Sequence, residues 1–207
     1  MEEAKVASNF WKSKKKYPSY PFIKKRRKYE LDFLLGNIDE TVESLFDMGC
    51  GDGSTVILLR ELSDIKRFYC YDISDNLMGG NWGERGSEII KKMVDFNDPL
   101  IDLPKADITI CMNMFPHIFD DMILSRILGK IKSDLFLSRV TCEKNERLTI
   151  NKYSEDLGDH IASVYRTAEE YKSLYKEHFS EVSFFRCFPD EIESKYGTNQ
   201  YFFICKK

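Results

Sequence analysis

Short apolar runs and stretches of helical period alternate along most of this chain. Strand-like runs occur at residues 45–48, 67–72, 88–94, 107–112 and 134–140, and two more close the chain at 182–188 and 200–205. Between them, apolar positions recur at helical spacing over residues 24–35, with Tyr29, Phe33 and Leu34 on one side, and again over 54–62 and 120–131. Thr167, followed three residues later by Glu170, marks a capping box and predicts a helix reaching about residue 178. A helix beginning near Ile73 is cut short by Gly79 and Gly80. Strands alternating with helices predict a mostly parallel seven-stranded α/β sheet with helices on both faces. The last two strands have no helix between them, so they should pair as an antiparallel C-terminal hairpin.

Two segments fall outside this rhythm. Residues 141–166 are polar without a clear period and read as an insertion or lid. Near the N-terminus, Phe10, Trp11, Tyr17, Pro18, Tyr20 and Pro21 are interleaved with basic residues, and the two prolines break any helix between the basic clusters. The expected organisation is therefore a basic N-terminal arm and helix over residues 1–35, capping the acceptor, and a main domain over 36–207.

Composition narrows the picture. The 207 residues suffice for one domain with a full core. Hydrophobic residues make up 43% and charged residues 31%, a globular rather than disordered balance. No apolar run approaches the ~18 residues of a membrane span, and no signal-type segment opens the chain, so a cytoplasmic protein without a membrane partner is expected. The six cysteines form no C-x-x-C pair and lie largely in strand-like runs, the pattern of buried reduced thiols; no metal site is expected. The net charge of −3 hides an asymmetry, because residues 5–28 contain ten Lys and Arg and no acid, while the rest is acidic.

Most of the chemistry gathers at residues 45–59, where an apolar strand meets Gly49, Gly51 and Gly53 and a helix opened by Ser54. Such a turn lets a ligand approach bare backbone. The spacing is G-x-G-x-G: Ser54 stands where a dinucleotide fingerprint wants Gly, and no P-loop Gly-Lys-Ser/Thr occurs. Asp72 follows 21 residues after Gly51 and ends the second strand, placed to accept ribose hydroxyls of an adenosine-bearing ligand. Asp95 ends the third strand with Phe96 beside it, and Asn113 follows the fourth. Asp47 with the glycine turn, then Asp72, then Asp95 and Phe96, then Asn113, resembles motifs I to IV of class I S-adenosylmethionine (SAM) dependent methyltransferases, over about residues 40–140.

That resemblance implies a Rossmann-like sheet, SAM as cofactor and a role for each position. Backbone around Gly49, Cys50, Gly51 and Gly53 should pass the methionine part, with Asp47 near it. Asp72 and the adjoining Ile73 should hold the ribose, and Asp95 and Phe96 should frame the adenine. Asn113 or Met114 should lie near the sulfonium. The break at Gly79–Trp82 departs from the family's pattern, where many members continue a helix.

Methyl transfer is a displacement governed by positioning, and a hydroxyl acceptor usually needs a base. His117 follows the fourth strand, where the methyl end should lie, and an unperturbed imidazole titrates near neutrality; packing or helix capping is the bland alternative. The basic segment would attract an anionic acceptor, with Tyr17 and Tyr20 as contacts. Arg139, Tyr165 and Arg166 border the polar insertion, and arginine suits bidentate phosphate or carboxylate contact. The expectation is methyl transfer, to oxygen by preference, on a small anionic acceptor such as a phosphorylated or nucleotide-linked sugar. The overall look is similar to bacterial methyltransferases of sugar and surface-polysaccharide pathways, with a phosphate or phosphoramidate oxygen in capsular polysaccharide synthesis as a narrower case. The rivals are a nucleic-acid methyltransferase, disfavoured because the chain reads Asn113-Met-Phe-Pro116 where amino-methylating enzymes carry Asn-Pro-Pro-Tyr/Phe, and a non-catalytic SAM-binding partner subunit. The oligomeric state is left open.

Overall fold

Alternation within each strand sends neighbouring side chains to opposite faces of a central sheet and so creates two cores. In β1 (Ser44–Met48), Phe46 and Met48 face one core while Leu45 faces the other; in β5 (Leu135–Cys142), Phe136 and Val140 part from Leu137 in the same way. The computed structural model describes residues 2–16, 23–83, 86–155, 158–193 and 197–207.

Seven strands form the sheet in the order β3-β2-β1-β4-β5-β9-β8. β2 (Arg67–Asp72), β3 (Glu88–Met93) and β4 (Ile108–Met112) run parallel with β1 and β5. β8 (Glu181–Arg186) and β9 (Asn199–Lys206) add the antiparallel edge, with β9 against β5. One face is covered by α2 (Ile23–Leu35), which buries Phe33 and Leu34, and by α3 (Ser54–Leu62), which buries Val56 and Leu59. The other carries α5 (Asp121–Gly129) and α6 (Ala168–Lys176), whose capping box between Thr167 and Glu170 is present on both arms. The single-turn α4 (Asp75–Met78) stops at Gly79.

Two elements differ from the expectation. The stretch read as an aperiodic insertion contains a two-stranded antiparallel hairpin, β6 (Leu148–Ser154) with β7 (Asp159–Tyr165), and β5 runs two residues further than expected. β6 is exposed along nearly its whole length, so it carries no alternation for a pattern to detect. The first residues form a helix, α1 (Glu2–Ser13), which buries Ala7 and Phe10. Glu2 and Glu3 in its first turn and Lys12 in its last complement the helix dipole.

The strand order reverses between β1 and β4, and in such sheets the crevice outside the carboxyl ends at the reversal is where ligands bind. α1 lies over that crevice. The Lys14 ammonium reaches Asp159 on β7 (3.0 Å) and Lys12 reaches Asp95 beyond β3 (3.4 Å). The carbonyl of Lys14 accepts from Ser74 Oγ at 3.3 Å.

Candidate active site

The turn after β1 leaves the sheet through three glycines with φ of 79°, 55° and 72°. A Cβ on Gly49 would stand 2.7 Å from Met114 Cβ, and one on Gly53 would stand 2.3 Å from the Trp82 ring. The turn thus demands glycine for its backbone angle and for the closeness of its neighbours. The Gly49 and Cys50 amides both donate to the Tyr71 carbonyl, at 2.8 and 3.2 Å, tying the turn to the end of β2. Ser54, which opens α3, bonds to Asp52 and accepts from Arg27 Nη2 at 2.9 Å.

Two carboxylates flank the turn. Asp72 Oδ2 accepts from the Gly51 amide and Oδ1 from the Ser74 amide, each at 2.8 Å. Burial pushes its carboxyl upward against the pull of these amides, yet each oxygen keeps a lone pair for a further donor. Asp95 is buried enough to resist ionisation, but the Asn97 amide and side chain and Lys12 outweigh this and hold it below the usual carboxylate range. Asp47, only 2% exposed, lies behind the turn, and its Oδ1 has no hydrogen-bond partner among the described residues. Burial, then the nearby Asp72, Asp52 and Glu30, push its pKa up to about 8.

Beyond β4 the chain reverses at Asn113, the only non-glycine among the described residues with positive φ, at 72°. Its Oδ1 accepts from the Thr141 amide (2.9 Å) and hydroxyl (2.8 Å) on β5. A 3-10 turn, Phe115–His117, follows. There His117 Nδ1 lies 3.4 Å from the Ala162 carbonyl and 3.3 Å from Ser163 Oγ, both on β7. Burial lowers the His117 pKa to about 4, so the imidazole is neutral at physiological pH and does not titrate near neutrality as an exposed one would. The Trp11 ring stands edge-on to it, centroids 5.1 Å apart.

These groups line one cavity that opens to solvent. Gly49, Gly51, Asp72, Ile73, Asp95, Phe96, Asn113 and Met114 line it from the strand ends, and His117 lines it from the 3-10 turn held by β7. Ala4, Ala7, Ser8 and Trp11 line it from α1. Of the residues singled out from sequence, Asp47, Cys50 and Gly53 sit behind this lining.

The expected acceptor contacts fare differently. Arg166 is fully buried and outside the lining: its Nε donates to Asp121 (2.8 Å) and Nη2 to the carbonyl of the lining residue Ile118 (2.9 Å), tying the end of β7 to the start of α5. Two of its three guanidinium nitrogens are thereby held by internal partners, while Nη1 is a buried donor without a hydrogen-bond partner among the described residues. Arg139 is held by Glu30 (3.0 Å) and by Gln200, and it too is outside the lining. Tyr165 ends β7 opposite Leu148, also outside the lining. Tyr17 and Tyr20 lie outside the described residues. The cap expected over residues 1–35 was not read as helical at its start, although Ala4, Ala7, Ser8 and Trp11 recur at helical spacing and Glu2 and Glu3 signal a helix start. Thr141 and Ser163, which hold Asn113 and His117, carry no local signal.

No family model matches the sequence, and no curated protein matches it. Solved structures do. DhpI in complex with SAH aligns over 99% of this chain and 97% of its own, at TM-score 0.71 and 13% identity. A putative S-adenosylmethionine dependent methyltransferase from Listeria monocytogenes covers 89% of this chain and 99% of its own, at TM-score 0.67 and 14% identity. The fold is that of the class I SAM-dependent methyltransferases. Geranyl diphosphate C-methyltransferase from Streptomyces coelicolor, in complex with Mg²⁺, geranyl diphosphate and S-adenosyl-L-homocysteine, spans 100% of this chain and 98% of its own at TM-score 0.65 and 9% identity. The expected Rossmann-like sheet with its C-terminal hairpin is thus present in this methyltransferase fold. No helix among the described residues is long and apolar enough to cross a membrane, and no cluster of three or more candidate metal ligands occurs among them. All six cysteines are buried free thiols.

Proposed function

We propose that this protein is a SAM-dependent methyltransferase acting on a small anionic acceptor, with a phosphorylated or nucleotide-linked sugar as the leading class. The observation that carries the reading is the cavity itself: a glycine turn and the strand-end carboxylate Asp72 on one side, His117 and α1 on the other. The residues fit SAM. Asp72 keeps lone pairs for ribose hydroxyls, the Gly49 and Gly51 backbone is bare toward the cavity, and the orphaned buried Asp47 oxygen lies behind it, where a nearby cation would favour its ionisation.

When bound, SAM supplies a methyl group activated on a sulfonium. The protein's part is positioning. Asp72 and Ile73 would hold the ribose, Asp95 and Phe96 would frame the adenine, and Met114 with Asn113 would border the sulfonium end. α1 supplies the facing wall of the cavity through Ala4, Ala7, Ser8 and Trp11. His117, with Nδ1 turned to Ala162 and Ser163, presents Nε2 as an unprotonated base at neutral pH.

The anionic class is supported by the basic segment, whose Lys15 and Lys16 are exposed directly after the α1 wall, and by the diphosphate substrate named for the Streptomyces enzyme. The Tyr-Pro character of the segment adds support for sugars of bacterial surface polysaccharides. The test is calorimetric titration with S-adenosylhomocysteine (SAH), followed by a screen of phosphorylated sugars, nucleotides and RNA for SAH release from SAM. Binding with turnover on the sugars supports the proposal. Turnover on RNA alone replaces the acceptor class, and binding without any turnover favours a partner subunit.

A further inference from the structure

Asn113 occupies a backbone conformation that costs energy for any side chain, and Asn tolerates it better than most. Strain of this kind persists where the surroundings fix it, and it concentrates at functional sites. The fixing groups are identifiable. The Thr141 amide and hydroxyl both donate to Oδ1, at 2.9 and 2.8 Å, which settles which end of the side-chain amide is oxygen. Nδ2 is left as the other end of a clamped group, with no partner among the described residues, on a residue that lines the cavity. His117 lines the same cavity with the opposite polarity. A proton on Nδ1 satisfies the Ala162 carbonyl, which can only accept, and in that tautomer Nε2 carries a lone pair.

One amide donor and one imidazole acceptor match a group that both accepts and donates. A fully ionised phosphate oxygen would need donors only, and the lining of the cavity, among the described residues, contains no Lys or Arg. Resting on the methyltransferase reading, we propose that the methylated atom is a neutral hydroxyl oxygen, with Asn113 Nδ2 as its hydrogen-bond donor, Thr141 as the positioning residue for Asn113, and His117 Nε2 as the proton acceptor. Any anionic part of the acceptor then lies outside, toward the basic segment. The hydroxyl oxygen bonds to the methyl carbon while the carbon–sulfur bond breaks, its electron pair staying on sulfur. The hydroxyl proton passes to Nε2 and from there to solvent.

Among the described residues, His117 bonds to Ala162 and Ser163 and packs against Trp11, with no ionisable side chain among these partners. Among the described charges on and beside the elements packed against it, Lys12 on α1 is paired to Asp95, and Lys14, just after α1, is paired to Asp159 on β7. His160, on β7 itself, stacks against Tyr153.

The test uses the full chain saturated with SAH, 15N-labelled at asparagine side chains, and two probes: glycerol 3-phosphate, which offers hydroxyls, and methylphosphonate, which offers ionised oxygens alone. The account expects glycerol 3-phosphate at millimolar concentration to shift the Asn113 side-chain amide resonance, with methylphosphonate leaving it in place. Asn113→Asp, which replaces the donor with an acceptor, and Asn113→Gly, which keeps the positive φ without the amide, should each weaken glycerol 3-phosphate binding by roughly tenfold or more, the size of one hydrogen bond. Thr141→Val should broaden or move the free amide signal before any probe is added. Methylphosphonate alone shifting the amide, neither probe shifting it, or variants binding as tightly as the parent overturns the hydroxyl assignment. Loss of SAH binding by the parent protein overturns the methyltransferase reading instead, so the two failures are distinct.

Discussion

The two walls of the cavity are built in opposite ways. The sheet-side wall comes from the carboxyl ends of neighbouring parallel strands, where backbone amides of one turn hold Asp72 and a short run of chain supplies the lining. The facing wall is assembled from α1 and from a turn held by β7, and it is joined by contacts such as Lys14 to Asp159 that cross most of the chain length. The first wall is fixed by the fold. The second depends on elements that a change of sequence could move without touching the sheet. That division suits an enzyme that keeps one cofactor and varies its acceptor.

The sharpest way to break the contrast is at Gly51. Its φ of 55° is one that a β-branched residue rarely adopts, and its amide hydrogen-bonds to Asp72. Gly51→Val should keep its circular dichroism spectrum and lose measurable SAH binding in calorimetry. Binding at parental affinity would reduce the turn to a structural feature.

On the facing wall, His117→Ala should lower kcat by roughly 10²–10⁴, the range for a lost general base. With the imidazole pKa depressed to about 4, the base-dependent limb of the parent's pH profile should fall near that value and not near neutrality. A kcat near that of the parent would exclude His117 as base and point to an acceptor that is already ionised. Returning to the sheet side, Asp72→Ala should weaken SAH binding by about 1–3 kcal/mol, the scale of hydrogen bonds to a charged group. An affinity equal to the parent's would assign Asp72 wholly to tying Gly51 and Ser74.

Asp47 gives a stability signature for the same wall. Its pKa rises from 3.8 unfolded to about 8 folded, so unfolding between those values releases a proton and stability should fall as pH rises across that window. Asp47→Asn should flatten that slope in denaturant titrations at several pH values; an unchanged slope would place its origin elsewhere. The smallest effect belongs to Lys12, whose pair with Asp95 is half-exposed. Lys12→Ala should loosen α1 and weaken SAH binding by no more than about 1 kcal/mol, a difference that high salt should erase. A larger loss would mean that Lys12 itself touches the ligand.

The same contrast governs what could be read before the structure. β1, β2, β4, β5 and β9 announce themselves through dense burial, the more exposed edge strands β3 and β8 through short apolar runs such as Ile89-Ile90 and Phe184-Phe185, and the capping box of α6 through Thr167 and Glu170. The cavity residues from Gly49 to His117 were readable for a related reason: strand ends and tight turns leave short, local signatures. The hairpin β6–β7 was not, since an exposed strand has no apolar rhythm. α1 was hidden by the lysines that follow it, and by an apolar face made mostly of small residues. The burial of Arg166 was hidden because its sequence position gives no hint of the bonds to Asp121 and the Ile118 carbonyl. Thr141 and Ser163 gain their roles only through cross-sheet and cross-chain contact.

The most direct test of the account is a crystal structure of the full chain with SAH. The account predicts the ribose hydroxyls on the Asp72 carboxylate, the adenine against Asp95 and Phe96, and the sulfur directed toward Asn113 and His117 beneath α1. SAH bound outside this cavity, or bound with Asp72 contacting only Gly51 and Ser74, would contradict it.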